Sequence, residues 1–462
     1  MPVPESIREA KNFLVQFPEI ENIDLLIPDT NGIFRGKRIG RQDLVKVYQE
    51  GVYFPGSTFA LDITGHTVEA SGLSFDIGDA DQLCRPIPGT LQSVPWKDPL
   101  SGQVLLTMYQ QEEELFFASA RNVLHRVLDR FSDLKLTPVV AVEMEFYLLE
   151  RRLEQDEPPQ PPLSPVTGIR ESATQVYSME NLDDYQEFLL EVSQVSNIQN
   201  IPVNAAIAEY APGQFEVNLH HQPDPLGACD HAMLLKRIIK GVARKHEMDA
   251  TFMAKPYMEC SGNGTHIHLS LLDEEGNNVF KGEERHEINE MPKNEFLQHA
   301  VGGLLETMNE GMAIFAPNAN SFKRFQNNNY VPMCPNWGWN NRTTAIRIPS
   351  GPPNATRIEH RVAGADSNPY LLLAALLAGI DYGIRHCVKP YNFVVGNGYE
   401  QHESSLPDNW KEALESLKNG KILPDYLGEQ YCKMYLACKT EEMQAFQQHI
   451  SRLEYQWYLN AV

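Results

Sequence analysis

Six acidic or imidazole side chains, scattered over more than two hundred residues, are the positions in this chain best suited to chemistry. They are Glu143 and Glu145 in AVEMEFYLL, Glu209 and Glu216 in AEYAPGQFEVN, His266 in GNGTHIHLS and Glu359 in ATRIEHR. Carboxylate oxygens mixed with imidazole nitrogen suit Mg²⁺ or Mn²⁺. Arginines crowd the last of them, at 324, 342, 347, 357 and 361. Guanidinium is the group for bidentate recognition of phosphate or carboxylate, so the pattern points to phosphoryl transfer assisted by divalent ions.

Each local pattern also has a plainer reading. Glu143 and Glu145 are two apart in a run of strand composition, so both leave one face while Val142 and Met144 leave the other. Such a pair is a metal face or simply a solvated one. Glu209 and Glu216 flank Pro212-Gly213, which excludes one continuous helix and calls for a bend if both reach one site. His266 and His268 share a face after a glycine-rich turn, as ligands or as a hydrogen-bonded core pair. In RIEHR, alternation sets Arg357, Glu359 and Arg361 opposite Ile358 and His360, as a site or as an ion-pair ladder.

The elements that must position these residues follow from patterning. From Glu21 to about Met108, short β-type runs (IDLLIPD, GIFRGKRI, TFALDIT, QVLLTMY) broken by Pro, Gly and Asp predict a small sheet-rich module. Apolar residues at helical spacing predict a helix over 113–131 that opens a larger unit, with the boundary near residue 110. DEPPQPPLSP, 156–165, lacks amide donors and reads as an exposed excursion where a change at Glu157 does little. Asn368-Pro369 supplies an N-cap and first-turn proline for a buried helix over YLLLAALLAGIDYGI.

Composition narrows the function classes. With 39 Lys and Arg against 61 Asp and Glu, the formal charge is -22, which disfavours nucleic acid and anionic membranes and mildly favours a cationic substrate. Seven cysteines without a C-x-x-C pair resemble reduced thiols. No basic stretch precedes an apolar one at the N-terminus, and the longest apolar run, 371–380, is about half of a bilayer span, so a cytoplasmic protein is expected. No P-loop, G-x-G-x-x-G before a helix, H-E-x-x-H or G-x-S-x-G occurs. Phosphoryl transfer would therefore rest on metals and arginines, as in an ATP-using ligase.

In order along the chain stand E-x-E, E-x-A-P-G-Q-x-E, G-x-G-x-H-x-H, N-R-x-x-x-I-R-I-P and R-I-E-x-R, followed by SNPYL. This series resembles the glutamine synthetase superfamily of class I type, over essentially the whole chain from Ile20. The resemblance implies an α+β architecture: a β-grasp-like domain over residues 1–110, and a catalytic α/β domain with a curved antiparallel sheet over 111–462. It implies two or three Mg²⁺ or Mn²⁺ ions per site, one held by Glu145, Glu209 and Glu216 and a second by Glu143, His266 and Glu359, with ATP as co-substrate. It places His268, Ser270 and Arg357 against the nucleotide, Arg342 and Arg347 at the transferring phosphate, and Arg324, Arg361 and Gly262 on glutamate. It further implies active sites between subunits of a dodecamer built from two hexameric rings.

The chain departs from ammonia-using members at the second substrate. Where those carry Asp in an F-D-G-S-S loop, this chain has Pro55 in FPGST; where they carry Glu after a flap tyrosine, it has Val331 after Tyr330. Ammonium needs anionic ligands, whereas a more apolar site suits an alkylamine or polyamine. The pattern resembles the γ-glutamylpolyamine (γ-glutamylputrescine) synthetase branch, which implies a glutamate–putrescine type of ligase in polyamine catabolism. Asn354 and Ser261 replace a lysine and an asparagine of the family pattern, and KPYNFVVGNGYEQHESSLPD shows no tyrosine adenylylation loop. The alternatives are an ammonia-using glutamine synthetase and a non-catalytic structural relative.

Overall fold

A computed structural model describes residues 5–110, 114–151, 158–173, 176–282, 292–326 and 330–462. Two sheets dominate, and helices cover the second. The first holds β1 (Asn22–Pro28), β2 (Phe34–Gly40), β3 (Val52–Pro55), β4 (Asp81–Pro86), β5 (Gln92–Val94) and β6 (Ser101–Tyr109). Its order is β2-β1-β6-β4-β3 with β5 against β6, and only β1–β6 is a parallel pair.

The second sheet has eight strands: β7 (Thr137–Glu150), β8 (Val203–Ala208), β9 (Gln214–Leu219), β10 (Met248–Thr251), β11 (Thr265–Leu272), β12 (Trp337–Trp339), β13 (Ile346–Ile348) and β14 (Ile358–His360). The order is β12-β13-β14-β11-β7-β9-β8, with β10 on β7 beyond the end of β11, and every pair but β12–β13 is antiparallel. β7 is long because its β-branched and aromatic residues fit a pleated, half-buried surface. Val140, Val142, Met144, Phe146 and Leu148 all lie in the core. The architecture is α+β.

Apolar helices fill the interior. Helix Pro369–His386 starts where expected: the Asn368 side chain accepts from the Tyr370 and Leu371 amides, and its own amide donates to the carbonyls of Asp29 (3.0 Å) and Thr30 (3.2 Å). One residue thus caps a core helix and ties it to the loop between β1 and β2. No described helix is long and apolar enough to cross a membrane, and all seven cysteines are free thiols.

Three expectations need correction. TFALDIT is not a strand: residues Gly56–Phe59 form a 3₁₀ turn, followed by an isolated Leu61–Thr67 bridge. The Thr58 hydroxyl donates to Pro55 O at 2.8 Å, a local bond that competes with sheet pairing. The helix expected from 113 begins at Ala120, because Leu115 bridges Tyr109 and the Phe116 amide bonds Met108 O, extending the β6 edge instead. Glu113 itself lies outside the described residues. The proline-rich segment is irregular yet only partly exposed: Gln160 O accepts from the Glu150 amide, and Pro162 and Ser164 are buried. Asp156 and Glu157 fall outside the described residues.

Candidate active site

Register across the large sheet lines up the chemistry. Neighbouring Cα partners are Arg347 with Glu359, Glu359 with His268, His266 with Glu143, and Glu145 with Glu216, running through β13, β14, β11, β7 and β9. Strands about 4.8 Å apart make this a row about 20 Å wide. Alternation keeps every member on one face, opposite Met144 and Ile267, which enter the core.

Glu209 arrives by a bend. It follows the end of β8, its amide bonds Gln214 O, and Gly213 at φ +72° makes the left-handed turn that returns the chain as β9. The Gln214 amide then donates to Gly262 O and Asn263 Oδ1, both at 3.2 Å, joining this bend to the glycine-rich turn before β11. There the Gly264 amide donates to Glu145 Oε2 at 2.7 Å.

Glu143 is the hub. One oxygen lies 2.8 Å from His268 Nε2 and the other 3.5 Å from His266 Nδ1. Arg357 donates its Nε–H to His268 Nδ1 at 3.0 Å, which leaves the ring proton on Nε2, facing Glu143. Glu359, 1% exposed, accepts from Arg347 (2.6 Å) and Arg361 (2.5 Å). Two groups of potential ligand atoms lie within 4.8 Å of one another: Glu143, His268 and Glu359, and Glu143, Glu216 and His266. The family resemblance implies Glu145, Glu209 and Glu216 as one set and Glu143, His266 and Glu359 as the other; here Glu143 belongs to both close groups because its two oxygens reach toward both imidazoles.

The remaining residues surround this row. Arg324 is 3% exposed at the end of the turn Ser321–Arg324 and donates to Val362 O at 3.1 Å. Gly262 lies against it, since a Cβ there would stand 2.5 Å from Arg324 Cγ. Arg342 is exposed, close enough to Glu209 and Arg347 for its charge to act on both. Ser270 follows His268 along the same face of β11.

Electrostatics divide the carboxylates into two classes. Burial pushes Glu216 up to about 9, helped by the charges of Glu143, Glu145 and Glu209. Burial and Glu145 likewise push Glu209 up to about 8, against the pull of Arg342. Burial alone would raise Glu143 and Glu359 too. Hydrogen bonds and charge from His266 and His268 instead hold Glu143 well below the usual carboxylate range, and Arg361, both imidazoles and Arg347 hold Glu359 down to about 2. Buried Glu216 and half-buried Glu209, which keep protons near neutrality, stand beside two carboxylates that do not, and a divalent cation would take the place of those protons and neutralise the group.

Sequence patterning gives no role to three neighbours. His221 faces His268 with ring centroids 6.0 Å apart, and burial, His268 and Arg357 bring its pKa down to about 4. Tyr210 and Tyr330, both partly exposed, stand 6.1 Å apart beside Glu209. Tyr210 occupies a variable place in E-x-A-P-G-Q-x-E, and Tyr330 meets it only in space. Asn327–Asn329 of the flap lie outside the described residues.

Comparison with known proteins agrees with this geometry. Residues 117–458 match the family described as glutamine synthetase, catalytic domain. The chain is 42% identical to gamma-glutamylputrescine synthetase PuuA of Escherichia coli K12, over 98% of this chain and 94% of that protein. It is 31% identical to the glutamate–isopropylamine ligase of a Pseudomonas species, over 99% of both. Among solved structures, ligand-free GmaS superposes with a TM-score of 0.80 at 26% identity, covering 97% of this chain and 98% of that one. With the carboxylate row, the family match and these relatives in agreement, the chain belongs to the glutamine synthetase family and is a ligase that forms C–N bonds.

Proposed function

We propose that this chain is an ATP-dependent ligase that joins the γ-carboxylate of glutamate to a primary amine, putrescine or another polyamine, by way of γ-glutamyl phosphate. What supports the choice of amine is that Pro55 and Val331 stand where the family resemblance puts ammonium-binding carboxylates. Val331 is apolar and 7% exposed, its carbonyl taken by the Tyr399 hydroxyl at 3.0 Å, and Pro55 offers no side-chain charge. Beside Val331, the Tyr210 and Tyr330 rings offer a surface to methylene groups, which gain about 0.8 kcal/mol each on burial while ammonium has none. The 42% identity to an enzyme named for putrescine supports the same reading.

The family resemblance assigns Glu145, Glu209 and Glu216 to one Mg²⁺ or Mn²⁺ and Glu143, His266 and Glu359 to a second; what supports two adjacent ions is that Glu143 stands within 4.8 Å of Glu216 and His266 through one set of ligand atoms and of His268 and Glu359 through another. When bound, the ions neutralise charge on the nucleotide phosphates and the substrate carboxylate. Arg342 and Arg347 receive the oxygens of the phosphoryl group in transfer, while Arg357, His268 and Ser270 face the nucleotide. Arg324 and Arg361, with the Gly262 backbone, grip the carboxylates of glutamate. The buried site shields the acyl phosphate from water until the amine arrives. The reading extends to an N-terminal domain over 1–110 and a catalytic domain over 111–462, a cytoplasmic dodecamer of two hexameric rings, and sites completed by a neighbour.

Phosphate release measured with glutamate, ATP and a panel of amines tests the proposal. Putrescine is expected to exceed ammonium in kcat/KM by about a hundredfold. A preference for ammonium would sink the polyamine reading, and no release with any amine would favour the structural relative. Gly262→Ala is expected to raise the KM for glutamate about tenfold with a smaller effect on the KM for ATP, because the new methyl displaces Arg324. Equal changes in both constants would remove Arg324 from the glutamate site.

A further inference from the structure

Away from the carboxylate row lies a second cavity of about 590 Å³, between the loops at Asn31–Ile33 and Asp62–Thr64 and helices Pro225–Lys245 and Glu429–Gln448. None of the residues assigned above to metal, nucleotide or glutamate lines it.

Its walls carry opposite charge. Lys236 and Lys240 are one helical turn apart, with ammonium nitrogens 5.3 and 5.6 Å from the centre of the Phe252 ring. Lys236 donates to the carbonyls of Ala365 (2.6 Å) and Ser367 (3.3 Å), which leaves one of its three N–H donors for a ligand. Among the described residues, neither lysine has a carboxylate within ion-pair distance; Lys240 is exposed, and burial and Lys240 push Lys236 down to about 7 against the pull of Asp366. Asp62 and Asp366 supply the acidic side, while Glu442, also in the wall, is ion-paired with Lys439 at 3.2 Å. Phe252, Trp410 and Phe446 make much of the remaining lining apolar. A cavity of this size with a few convergent polar groups is built for a small molecule.

We propose that this cavity binds an apolar α-amino acid, its carboxylate against Lys236 and Lys240, its ammonium toward the acidic wall, and its side chain among Phe252, Trp410 and Phe446. A carboxylate supplies the ion-pair contact that neither lysine has, and a zwitterion sets its ammonium toward Asp62 and Asp366 at the same time. The site also touches the catalytic face from behind. Asp366 accepts from Asn318 (2.8 Å) and the Ser321 hydroxyl (2.6 Å), and Ser321 begins the turn that ends at Arg324. Occupancy therefore bears on the residue proposed above to hold glutamate.

Calorimetric titration of the full chain with L-phenylalanine, in the absence of ATP and amine, tests this independently of any turnover. Binding is expected at one per chain with Kd below about 1 mM, and N-acetyl-L-phenylalanine and 3-phenylpropanoate, which lack the ammonium, are expected to bind about tenfold or more weakly. Lys240→Met, or Ala445→Trp at the cavity wall, is expected to weaken L-phenylalanine about tenfold without shifting thermal unfolding. No heat up to about 10 mM ligand overturns the proposal. Binding unchanged in both variants, or displaced by glutamate, does so as well.

Discussion

Glu359→Ala is expected to lower glutamate- and amine-dependent phosphate release by about a thousandfold. The carboxylate sits on β14, second in the row, 1% exposed, with Arg347 on one oxygen and Arg361 on the other. Its removal strips a proposed metal ligand and leaves two nearby guanidiniums without their shared counter-charge. Breaking such a buried pair costs about 3–5 kcal/mol, so lost activity in the alanine variant could come from unfolding alone. Glu359→Gln separates the causes, because it keeps the shape and one acceptor oxygen but not the charge. The glutamine variant is expected to be as inactive as the alanine variant while unfolding within a few degrees of the parent. If it retained activity within tenfold, Glu359 would be a rung in an ion-pair ladder and nothing more.

The second large effect is a pH-dependent response to divalent ions. Glu209 and Glu216 hold protons in the folded chain up to about 8 and about 9, whereas an ordinary carboxylate releases its proton near 4.5. The folded state then binds more protons than the unfolded one between those limits. Its advantage is fully present below about 4.5 and is lost as pH rises through 8 and 9. A divalent ion among these carboxylates replaces the protons and removes the repulsion. Without metal, the unfolding temperature is therefore expected to fall from pH 6 to pH 8. Saturating Mg²⁺ or Mn²⁺ should raise it by a few degrees, more at pH 8 than at pH 6, given about 2.7 kcal/mol at a hundredfold excess over Kd. Addition of metal to weakly buffered protein at pH 7 should release about one proton or more per chain. Equal shifts at both pH values, with no proton release, would show that these carboxyls do not meet the metal.

Which groups are present, and which face each one leaves, is legible in the order of residues. Period-two alternation put Glu143 with Glu145, His266 with His268, and Arg357 with Glu359, because successive strand residues must point to opposite sides. Proline and glycine chemistry set the bend between Glu209 and Glu216 and the start of helix Pro369–His386, since both are consequences of local backbone geometry. Where a local pattern met a competing partner far along the chain, the reading failed. Leu115 pairs with the end of β6 instead of starting a helix, and TFALDIT closes on itself through Thr58. Which carboxylates become neighbours depends on the assembled sheet, because strand order and register bring Glu359 to His268 and Glu216 to Glu145. Neighbouring charges and hydrogen bonds, acting on top of a burial common to all, then divided chemically identical glutamates into two that hold protons near neutrality and two that do not. Desolvation and the nearest charge depend on position in space, which a linear order of residues does not specify.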